Sequence, residues 1–465
     1  MKIMIISPAF PPARDGVGDY TFVLADGLAG KNEVIILTSK SENEISEDKD
    51  KFRVIRKIGN WGGLDLFHIF SIGRSFSPEL IIIQYVSFLY GRGGINLVFP
   101  LLSVLLRIRY RIFTMVHEPF TPFGNSIKTF LISVIQRLML FFVIMGSDGV
   151  GVSIKAWNRM LKRFFFWRKK DFIWIPVSSN IKISSKDCGI NRLPFFNKKP
   201  LLAFFGSLHF SKMVEYMTAS LDALVKKGYD SGLIVIGQEE KAISSYLKEL
   251  PDYLRERIFC TGYCSSEDVS RYLSASDIFL LPLIDGVSSR RTTLMTALQH
   301  CVPVVSTSGF LTDDIFLQEQ FILLSPSTGK NLFVANVERM ADDEVLRKAT
   351  ANKGRDAYEK YFSERLMVER YLGHVSISPK IKWRWGMKIS DQLITDAVFD
   401  VCEKIKGILL DIGCGKKPFS RLLGYKTVKW IGIDRPVTHS GLSSADIFGD
   451  GKYLPFRDES FDTVL

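Results

Sequence analysis

Between Ser274 and Gly309 the chain reads SASDIFLLPLIDGVSSRRTTLMTALQHCVPVVSTSG. Apolar runs at 278–281 and 302–306 predict two short buried strands, and the residues from about Arg290 to His300 predict a helix between them. Ser288 or Ser289 would cap the first turn of that helix. A strand, a helix and a strand in this order form the unit of a parallel sheet, whose ligands bind beyond the carboxyl ends of the strands. The loop 285–289 is therefore a candidate ligand-binding loop.

The alternation of strands and helices continues along the chain and predicts an α/β protein. Basic or polar stretches at 178–200 and 376–395 look like linkers between three series of strands. The expected strands are 2–7, 33–38, 80–84, 110–116 and 149–152; then 202–205, 233–236, 258–261, 278–281 and 302–306; and finally 408–411 and 430–434. The predicted domains are therefore 1–178, 199–373 and an incomplete third Rossmann-like α/β unit, 396–465.

The composition is typical of a folded protein, and its excess of positive charge favours anionic partners. Of its 465 residues 46% are hydrophobic and 24% charged, and the formal net charge is +12. This balance suits sugar nucleotides, lipid phosphates or anionic membrane surfaces, whereas no zinc-finger or helix-turn-helix pattern supports nucleic acid. The six cysteines are scattered, no metal-binding cluster is evident, and the first apolar run is too short for a secretory signal. A cytoplasmic protein is expected.

Two stretches raise the question of membrane contact. Residues 129–146 are strongly apolar, but Gln136 and Arg137 stand at their middle, and a central arginine costs roughly 2.5–3.5 kcal/mol on insertion. A buried or surface-associated helix is expected there. The run RMLKRFFFWRKKDFIW at 159–174 mixes basic and aromatic residues. It is either a solvated basic helix or a peripheral patch on an anionic leaflet at the cytoplasmic face of a membrane, and the sequence leaves both open.

The first loop, SPAFPPARDGVGDYTFVLADGL at 7–28, places prolines and then Gly16 and Gly18 before a helix. Glycines let a backbone approach a bulky ligand, and the N–H groups at a helix start favour negative charge. A tight turn is the simpler alternative. Together with VHEP at 116–119 and FFGSLHFSKMVEYM at 204–217, this loop resembles the loops of family 4 glycosyltransferases of the GT-B fold, over roughly residues 1–370.

The resemblance implies two Rossmann-like domains in a GT-B arrangement, with a UDP- or GDP-sugar as the nucleotide-sugar donor between them. It implies that His117 reaches the hydroxyls of the transferred sugar and that Lys212 contacts the donor diphosphate, beside Gly16 and Gly18. The simpler alternatives are a satisfied core histidine for His117, although its place at the carboxyl end of a strand favours function, and an ordinary surface lysine for Lys212.

The chain departs from the family pattern where most members place two glutamates. Alignment on Val302-Pro303-Val304 puts Ser288 and Thr296 at these positions. In place of the acids stands a group of basic and hydroxyl side chains that we expect to bind the donor: Ser288, Ser289, Arg290, Arg291 and Thr292. Guanidinium groups suit a diphosphate. The alternative is that both arginines cap the helix and pair with Asp285.

The resemblance further implies metal-independent transfer with retention of configuration to a glycan or lipid-linked acceptor, as in cell-envelope glycan assembly. His117, Lys212, Arg290 and Arg291 are then the catalytic candidates. Two other functions stay open. One is a non-catalytic sugar-nucleotide-binding or scaffold module, and the other is a bifunctional glycosyltransferase-methyltransferase.

The C-terminal segment carries a separate set of motifs. ILLDIGCGKKPFSRLLG at 408–424, WIGID at 430–434 and GDGKYLPFRDESFDTVL at 449–465 resemble class I S-adenosylmethionine methyltransferases. The cofactor-binding residues that this resemblance implies are Asp411, Gly413, Gly415, Asp434 and Asp450. A nicotinamide-binding Rossmann half is the alternative. Because the later strands of such a sheet are missing, S-adenosylmethionine binding is expected only if the domain were complete.

Overall fold

The predicted α/β fold is confirmed. The computed structural model describes residues 1–40, 47–48, 51–124, 126–184, 194–207, 211–376, 398, 405–415, 417, 427–438, 441–442 and 444–465. They form two units, Met1–Arg370 and Tyr371–Leu465. Much of the predicted linker 178–200 and almost all of the linker 376–395 lie outside the described residues.

A parallel sheet forms the centre of the N-terminal half of the first unit, residues 1–178. Its strands are β1 Lys2–Ile6, β2 Glu33–Ser39, β3 Glu47–Asp48, β4 Arg53–Ile58, β5 Leu80–Val86, β6 Arg111–Glu118, β7 Gly149–Val152 and β8 Phe172–Trp174. Their order is β3-β4-β2-β1-β5-β6-β7-β8, with β3 antiparallel. The helices are α1 Gly16–Ala29, α2 Gly63–Phe76, α3 Ser87–Tyr90, α4 Val98–Arg109, α5 Ile127–Met145 and α6 Lys155–Phe164.

The strands that the sequence predicts are those buried on both faces. Ile3–Ile6 of β1 and the whole of β5 are buried, and such strands read as unbroken apolar runs. The sequence RVIRKI of β4 alternates basic and apolar residues, and β8 has three residues. Neither β4 nor β8 was predicted, because each lacks a long apolar run.

The C-terminal half of the first unit, residues 199–370, repeats the architecture. Its strands are β9 Leu201–Phe205, β10 Gly232–Ile236, β11 Ile258–Cys260, β12 Ile278–Leu281, β13 Val304–Ser308 and β14 Leu323–Pro326. All are parallel, in the order β11-β10-β9-β12-β13-β14. The helices are α7 Val214–Lys226, α8 Glu240–Lys248, α9 Asp252–Arg255, α10 Ser266–Ser274, α11 Thr292–Gln299, α12 Asp314–Gln318, α13 Lys330–Asp342, α14 Glu344–Ala357 and α15 Glu364–Ser376.

In each sheet the chain starts at an inner strand, winds outward to one side and then crosses to the other. Such an order opens a crevice at the carboxyl ends, beside the first strand. The last helix ties the two halves together, because a Cβ at Gly27 of α1 would lie 2.6 Å from Val368 Cγ2 of α15. The carboxyl ends of both sheets are therefore the places to look for ligand-binding side chains.

The second unit contains a smaller parallel sheet. Its strands are β15 Gly407–Ile412, β16 Thr427–Asp434, β17 Val437–Thr438, β18 Gly441–Leu442, β19 Ile447–Phe448 and β20 Thr463–Val464. Four of them pair in the order β19-β16-β15-β20, and β17 pairs with β18 as a separate ribbon. The core of this unit is small and contains Val398, Ile405 and Leu409. β15 and β16 lie where the sequence predicts them.

Helix α5 is long and apolar enough to cross a membrane when judged by length and composition alone. Its most apolar window has a mean hydropathy of 1.9, and 33% of that window is buried within the protein. The inward side of α5 packs on the sheet through Met139, Leu140, Val143 and Ile144. About one third of the helix is thus core and the rest surface, and the expectation of a buried or surface-associated helix stays a prediction.

Candidate functional site

Loops that follow three strands of the first unit meet across its two halves. Glu118 ends β6, Lys212 follows β9, and Arg290 lies in the loop after β12. Arg290 Nη1 donates to Glu118 Oε1 at 2.9 Å, which joins the halves. Lys212 pairs in a single β-bridge with Leu283, at the start of the loop that carries Arg290. We take this meeting point as the candidate site.

Asp285 holds both arginines of the loop after β12. The buried carboxylate of Asp285 accepts hydrogen bonds from Arg290 Nη2 and, at 2.8 and 2.6 Å, from Arg291 Nη2. The guanidinium of Arg290 also lies 5.3 Å from the ring centre of Trp157. The pairing with Asp285 anticipated as the alternative role is therefore present. It fixes two guanidinium groups side by side.

Lys212 is a third cation beside this pair. Its ammonium lies 5.1 Å from the ring centre of Phe204. Burial, together with the positive charge of Arg291, lowers the pKa of Lys212 from 10.5 to about 7, although Asp285 acts in the opposite direction. No carboxylate among the described residues forms a salt bridge with Lys212. Lys212 is thus a desolvated cation without a carboxylate of its own.

The three basic residues form what we call the cationic cluster: Lys212, Arg290 and Arg291 around Asp285. One carboxylate cannot neutralise three cations, and Glu118, which adds a second acid, is more than half exposed. Guanidinium groups held in a fixed fork suit the oxygens of a phosphate or diphosphate. The arrangement can therefore hold a multiply charged anion between the two halves.

The serines before the arginines have another role than the one expected. α11 begins at Thr292 with Arg291 as its N-cap and without a side-chain cap, so neither Ser288 nor Ser289 caps it. Ser289 Oγ lies 2.6 Å from both the Ser153 carbonyl oxygen and Asp313 Oδ2, and it accepts from Trp174 Nε1. These bonds draw Ser289 into the contact between the halves, which explains why the capping prediction was wrong.

Neither serine side chain has exposed surface, so a ligand contact from either hydroxyl requires the loop to open. Thr292, at the start of α11, is partly exposed. Thr296 is fully buried and lies 3.2 Å from Ser179 Oγ. The position that family members fill with a glutamate therefore packs here against the connection between the halves.

The two glycines of the first loop differ. The carboxylate of Asp15 caps α1 and accepts from Val17 N and Gly18 N, so these N–H groups are already satisfied. A Cβ at Gly18 would lie 3.2 Å from Phe10 Cα, whereas one at Gly16 would meet nothing within 4 Å. Gly18 makes room for the backbone of its own loop, and its expected role in ligand approach stays a prediction. Only Gly16 faces open space.

His117 is buried at the end of β6. Its Nε2 lies 2.7 Å from Gln84 Oε1, and its ring meets that of Tyr20 edge to face at 4.7 Å. Burial lowers the pKa of His117 to about 3, so the imidazole is neutral at physiological pH. With Nε2 donating to the amide oxygen of Gln84, His117 is a polar group of fixed orientation rather than an acceptor of protons.

Three residues of the site region were not predicted from the sequence: Gln84, Gly206 and Asp313. Gln84 orients His117. Gly206 has φ +108°, and a Cβ there would lie 2.9 Å from Thr293 Cγ2 at the start of α11. Asp313 accepts from Lys155 N across the halves and from Ser289 N within its own half. Of these three residues, only Gly206 could have been predicted from the sequence, because it is a glycine directly after a buried strand.

The second unit brings its predicted residues together around the end of β16. Asp434 Oδ2 accepts from Gly415 N at 2.8 Å, and Gly413 N donates to the Ile433 carbonyl. Asp450 pairs with Arg435 at 3.0 Å. Asp411 is buried, and burial raises its pKa. Gly413 and Gly415 both have positive φ, and a Cβ at either would meet nothing within 4 Å, which leaves an open turn beside the carboxylate of Asp434.

Comparisons with known proteins identify the type of fold. Residues 199–343 match the sequence family described as "Glycosyl transferases group 1". A sucrose-phosphate synthase from Thermosynechococcus elongatus is similar in structure, with a TM-score of 0.63 and 16% identity over 80% of this chain and 98% of the other. No curated protein matches the chain in sequence.

Two further solved structures cover nearly the same part of the chain. HepE of Anabaena, in complex with UDP and glucose, has a TM-score of 0.59 and 14% identity over 81% of this chain and 99% of its own. WaaG, a glycosyltransferase involved in lipopolysaccharide biosynthesis, has a TM-score of 0.56 and 13% identity over 80% and 100%. At these identities the likeness establishes the fold, and the predicted arrangement of two Rossmann-like domains is confirmed.

Proposed function

Since the chain carries a group 1 glycosyltransferase domain within a GT-B fold, we propose that it transfers a sugar from a nucleotide-sugar donor to a glycan or lipid-linked acceptor. The observation that carries this proposal is the cationic cluster, in which three basic side chains face one buried carboxylate, Asp285, and one half-exposed carboxylate, Glu118, at the carboxyl ends of the strands. The donor diphosphate binds Lys212, Arg290 and Arg291. HepE in complex with UDP-glucose supports a UDP-sugar as the first donor to try.

The chemistry follows from where negative charge develops. The bond from the anomeric carbon to the diphosphate breaks, a bond to the acceptor oxygen forms on the same face, and the acceptor proton passes to the leaving phosphate oxygen. The cationic cluster stabilises the departing diphosphate, and the loss of one such group typically costs 10²–10³ in kcat. We propose, as the family resemblance implies, that the transfer retains configuration and is independent of metal ions, with the cationic cluster supplying the positive charge beside the diphosphate. With its Nε2–H donating to Gln84, the neutral His117 offers only Nδ1, as an acceptor for a sugar hydroxyl.

Substitution of Lys212 gives the sharpest test of the donor site. Removing both arginines would leave Asp285 buried without a partner and endanger the fold. Lys212→Gln removes a charge that is already costly, so the protein stays folded. We expect UDP binding, measured by titration calorimetry, to weaken by one to two orders of magnitude. Lys226→Gln is the matched control, because Lys226 is an exposed lysine of α7 paired with Asp222.

Turnover is tested with a panel of UDP- and GDP-sugars by following nucleotide release with and without lipid-linked and glycan acceptors. Release that depends on Lys212, and that persists in EDTA, supports the transferase. UDP binding that is unchanged in Lys212→Gln refutes the donor site. Donor binding without release across the acceptors favours the scaffold module instead.

For the second unit we propose a second activity, S-adenosylmethionine binding, which the sequence leads us to expect only in a complete domain; the geometry of its turn supports the proposal. The open turn at Gly413 and Gly415 leaves space for the methionine end of the cofactor, and Asp434 stands at the strand end to hold ribose hydroxyls. The bound cofactor would supply an electrophilic methyl group. Calorimetry with S-adenosylhomocysteine tests this fit, with Asp434→Ala expected to abolish binding and Asp458→Ala to leave it unchanged.

A further inference from the structure

Helices α4 and α5 expose large apolar side chains on their outer sides. The exposed fractions run from 39% to 81% for Leu97, Leu101, Leu105, Ile108, Ile127, Phe130, Leu131, Val134, Leu138 and Phe141. Along α4 they recur every three or four residues and so form one stripe, and those along α5 form another. Apolar side chains that are contiguous and exposed in this number mark an interaction surface.

The two stripes belong to one surface. α4 packs against α5, since Ser103 Oγ lies 3.4 Å from the Phe142 carbonyl oxygen and Asn96 N lies 3.5 Å from Met139 Sδ. At the far end of α5, Phe141 stacks on Phe165 with ring centres 5.8 Å apart. This contact brings in the exposed rings of the segment after α6, Phe164, Phe166 and Trp167. We call the whole surface the apolar face.

The inner side of α5 is fixed to the protein by polar groups. Gln136 Oε1 accepts from Thr121 N at 2.7 Å, and Ser133 Oγ donates to the Thr121 carbonyl at 2.7 Å. Gln136 also donates to the Gly94 carbonyl. A helix that crossed a bilayer would have to give up these bonds in hydrocarbon. α5 therefore presents its apolar stripe while it lies along the surface of the N-terminal half.

The charges around the apolar face are mostly positive. Between Ser87 and Asp148 the acidic residues are Glu118 and Asp148, the latter paired with Arg107, whereas the basic residues are Arg92, Arg107, Arg109, Arg111, Lys128 and Arg137. Lys162 and Arg163 follow at the end of α6. A second copy of the chain meeting this face through a two-fold axis would place like charges opposite one another. An anionic lipid surface complements both the apolar stripes and their basic border.

We propose that the apolar face docks on a bilayer that contains anionic lipids, with α4 and α5 lying in the plane of the membrane interface. The aromatic and leucine side chains enter the boundary between headgroups and acyl chains, and the basic residues remain at the level of the phosphates. The inference goes beyond the proposed sugar transfer, because it concerns the location of the protein and needs no catalytic residue.

Sedimentation of the full chain with vesicles tests the docking. We expect binding to phosphatidylcholine vesicles that contain about 30% phosphatidylglycerol, with a loss of about fivefold in the binding constant for each basic contact removed or screened by salt. Leu101→Ser with Leu131→Ser should weaken binding at least tenfold. The matched control is Leu332→Ser with Val345→Ser, two exposed apolar residues of α13 and α14.

The outcomes separate docking from its rivals. Binding that is lost in the first pair and kept in the control supports the apolar face, and UDP titration of the same variants shows whether the donor site is intact. A wild-type protein that ignores anionic vesicles overturns the proposal. So does a wild-type protein that dimerises in lipid-free buffer through Leu101 and Leu131, as sedimentation velocity would show. Vesicle binding that persists while UDP binding fails would contradict the proposed donor site and leave the docking proposal standing.

Discussion

The ammonium group of Lys212 loses its proton more readily in the folded protein than in water. With its pKa lowered from 10.5 to about 7, the lysine is largely neutral in the free protein above pH 7, while the unfolded chain still holds the proton. The free energy of unfolding therefore gains from rising pH between about 7 and 10.5. Below pH 7 both states are charged and the folded state bears the full cost of burying the ammonium.

The same pKa predicts how anion binding depends on pH. A diphosphate beside Lys212 favours the charged ammonium, so the protein takes up a proton on binding above pH 7. UDP affinity should fall by up to tenfold per pH unit between about pH 7 and 8.5. Calorimetry in buffers of different ionisation enthalpy measures the uptake. Lys212→Gln should bind weakly and without this slope, and an equal slope in that variant would assign it to another group.

The sequence identified Lys212 by its resemblance to a family and the two arginines where the chain departs from that family, but it did not reveal how they are paired. Asp285 was predicted only as an alternative partner, whereas in the structure it binds both guanidinium groups and leaves Lys212 without an acid. Which cation remains unneutralised depends on distances of a few ångströms between separate loops. Spacing along the chain does not contain that information.

At the scale of elements, Gly16 and Gly18 at the start of α1 have different surroundings and should respond differently to substitution. Gly18→Ala would place a methyl group 3.2 Å from the backbone of Phe10, which is unable to retreat, and we expect a loss of about 1–3 kcal/mol in the free energy of unfolding. Gly16→Ala meets open space within a helix and should raise that free energy by about 0.4–1 kcal/mol. Urea denaturation measures both.

The pair also tests the ligand role of the first loop. If the donor diphosphate approaches the backbone at Gly16, Gly16→Ala weakens UDP binding while the protein becomes more stable. Unchanged UDP binding in Gly16→Ala removes Gly16 from the donor site without affecting the cationic cluster. Equal stabilities of the two variants would contradict the packing of Gly18 against Phe10.

Elements could be predicted where one local pattern decided them. β1 and β5 are unbroken apolar runs and β12 is followed directly by Pro282, so their positions follow from the sequence. The start of α11 was misplaced by about two residues, because Ser289 satisfies its hydrogen bonds with Asp313, Ser153 and Trp174 rather than with the helix. A local preference for capping lost to partners that lie far away in the sequence.

At the scale of the whole first unit, the halves are joined through polar groups. Asp313 in the C-terminal half accepts from Lys155 N at 2.7 Å, and Arg159 pairs with Asp314 at 2.8 Å. Trp174 Nε1 donates to Ser289, and Ser178 Oγ lies 3.0 Å from Tyr358 Oη. Each contact links residues more than a hundred positions apart. No sequence pattern predicted any of these contacts, because hydroxyls and carboxylates of this kind are common on loops.

Among the residues of this contact, Asp313 is the one whose substitution should lower the stability of the protein most. Asp313→Ala leaves the buried N–H of Ser289 and the N–H of Lys155 without acceptors, and one buried donor without a partner costs about 1–3 kcal/mol. We expect a lower Tm by calorimetry, with partial recovery in Asp313→Asn, which retains one acceptor oxygen. Asp314→Ala, at the exposed neighbouring pair, is the control and should change Tm little. An unchanged Tm in Asp313→Ala would mean that water replaces the carboxylate.

The bond between Arg290 and Glu118 has a consequence for turnover. Glu118 is more than half exposed, so the pair is worth no more than about 1 kcal/mol and exchanges easily. When a nucleoside diphosphate departs, the carboxylate can take back the guanidinium as the phosphate lets go. If the proposed donor binds here, Glu118 competes with its diphosphate for the guanidinium of Arg290, and this competition would speed the release of the nucleotide product.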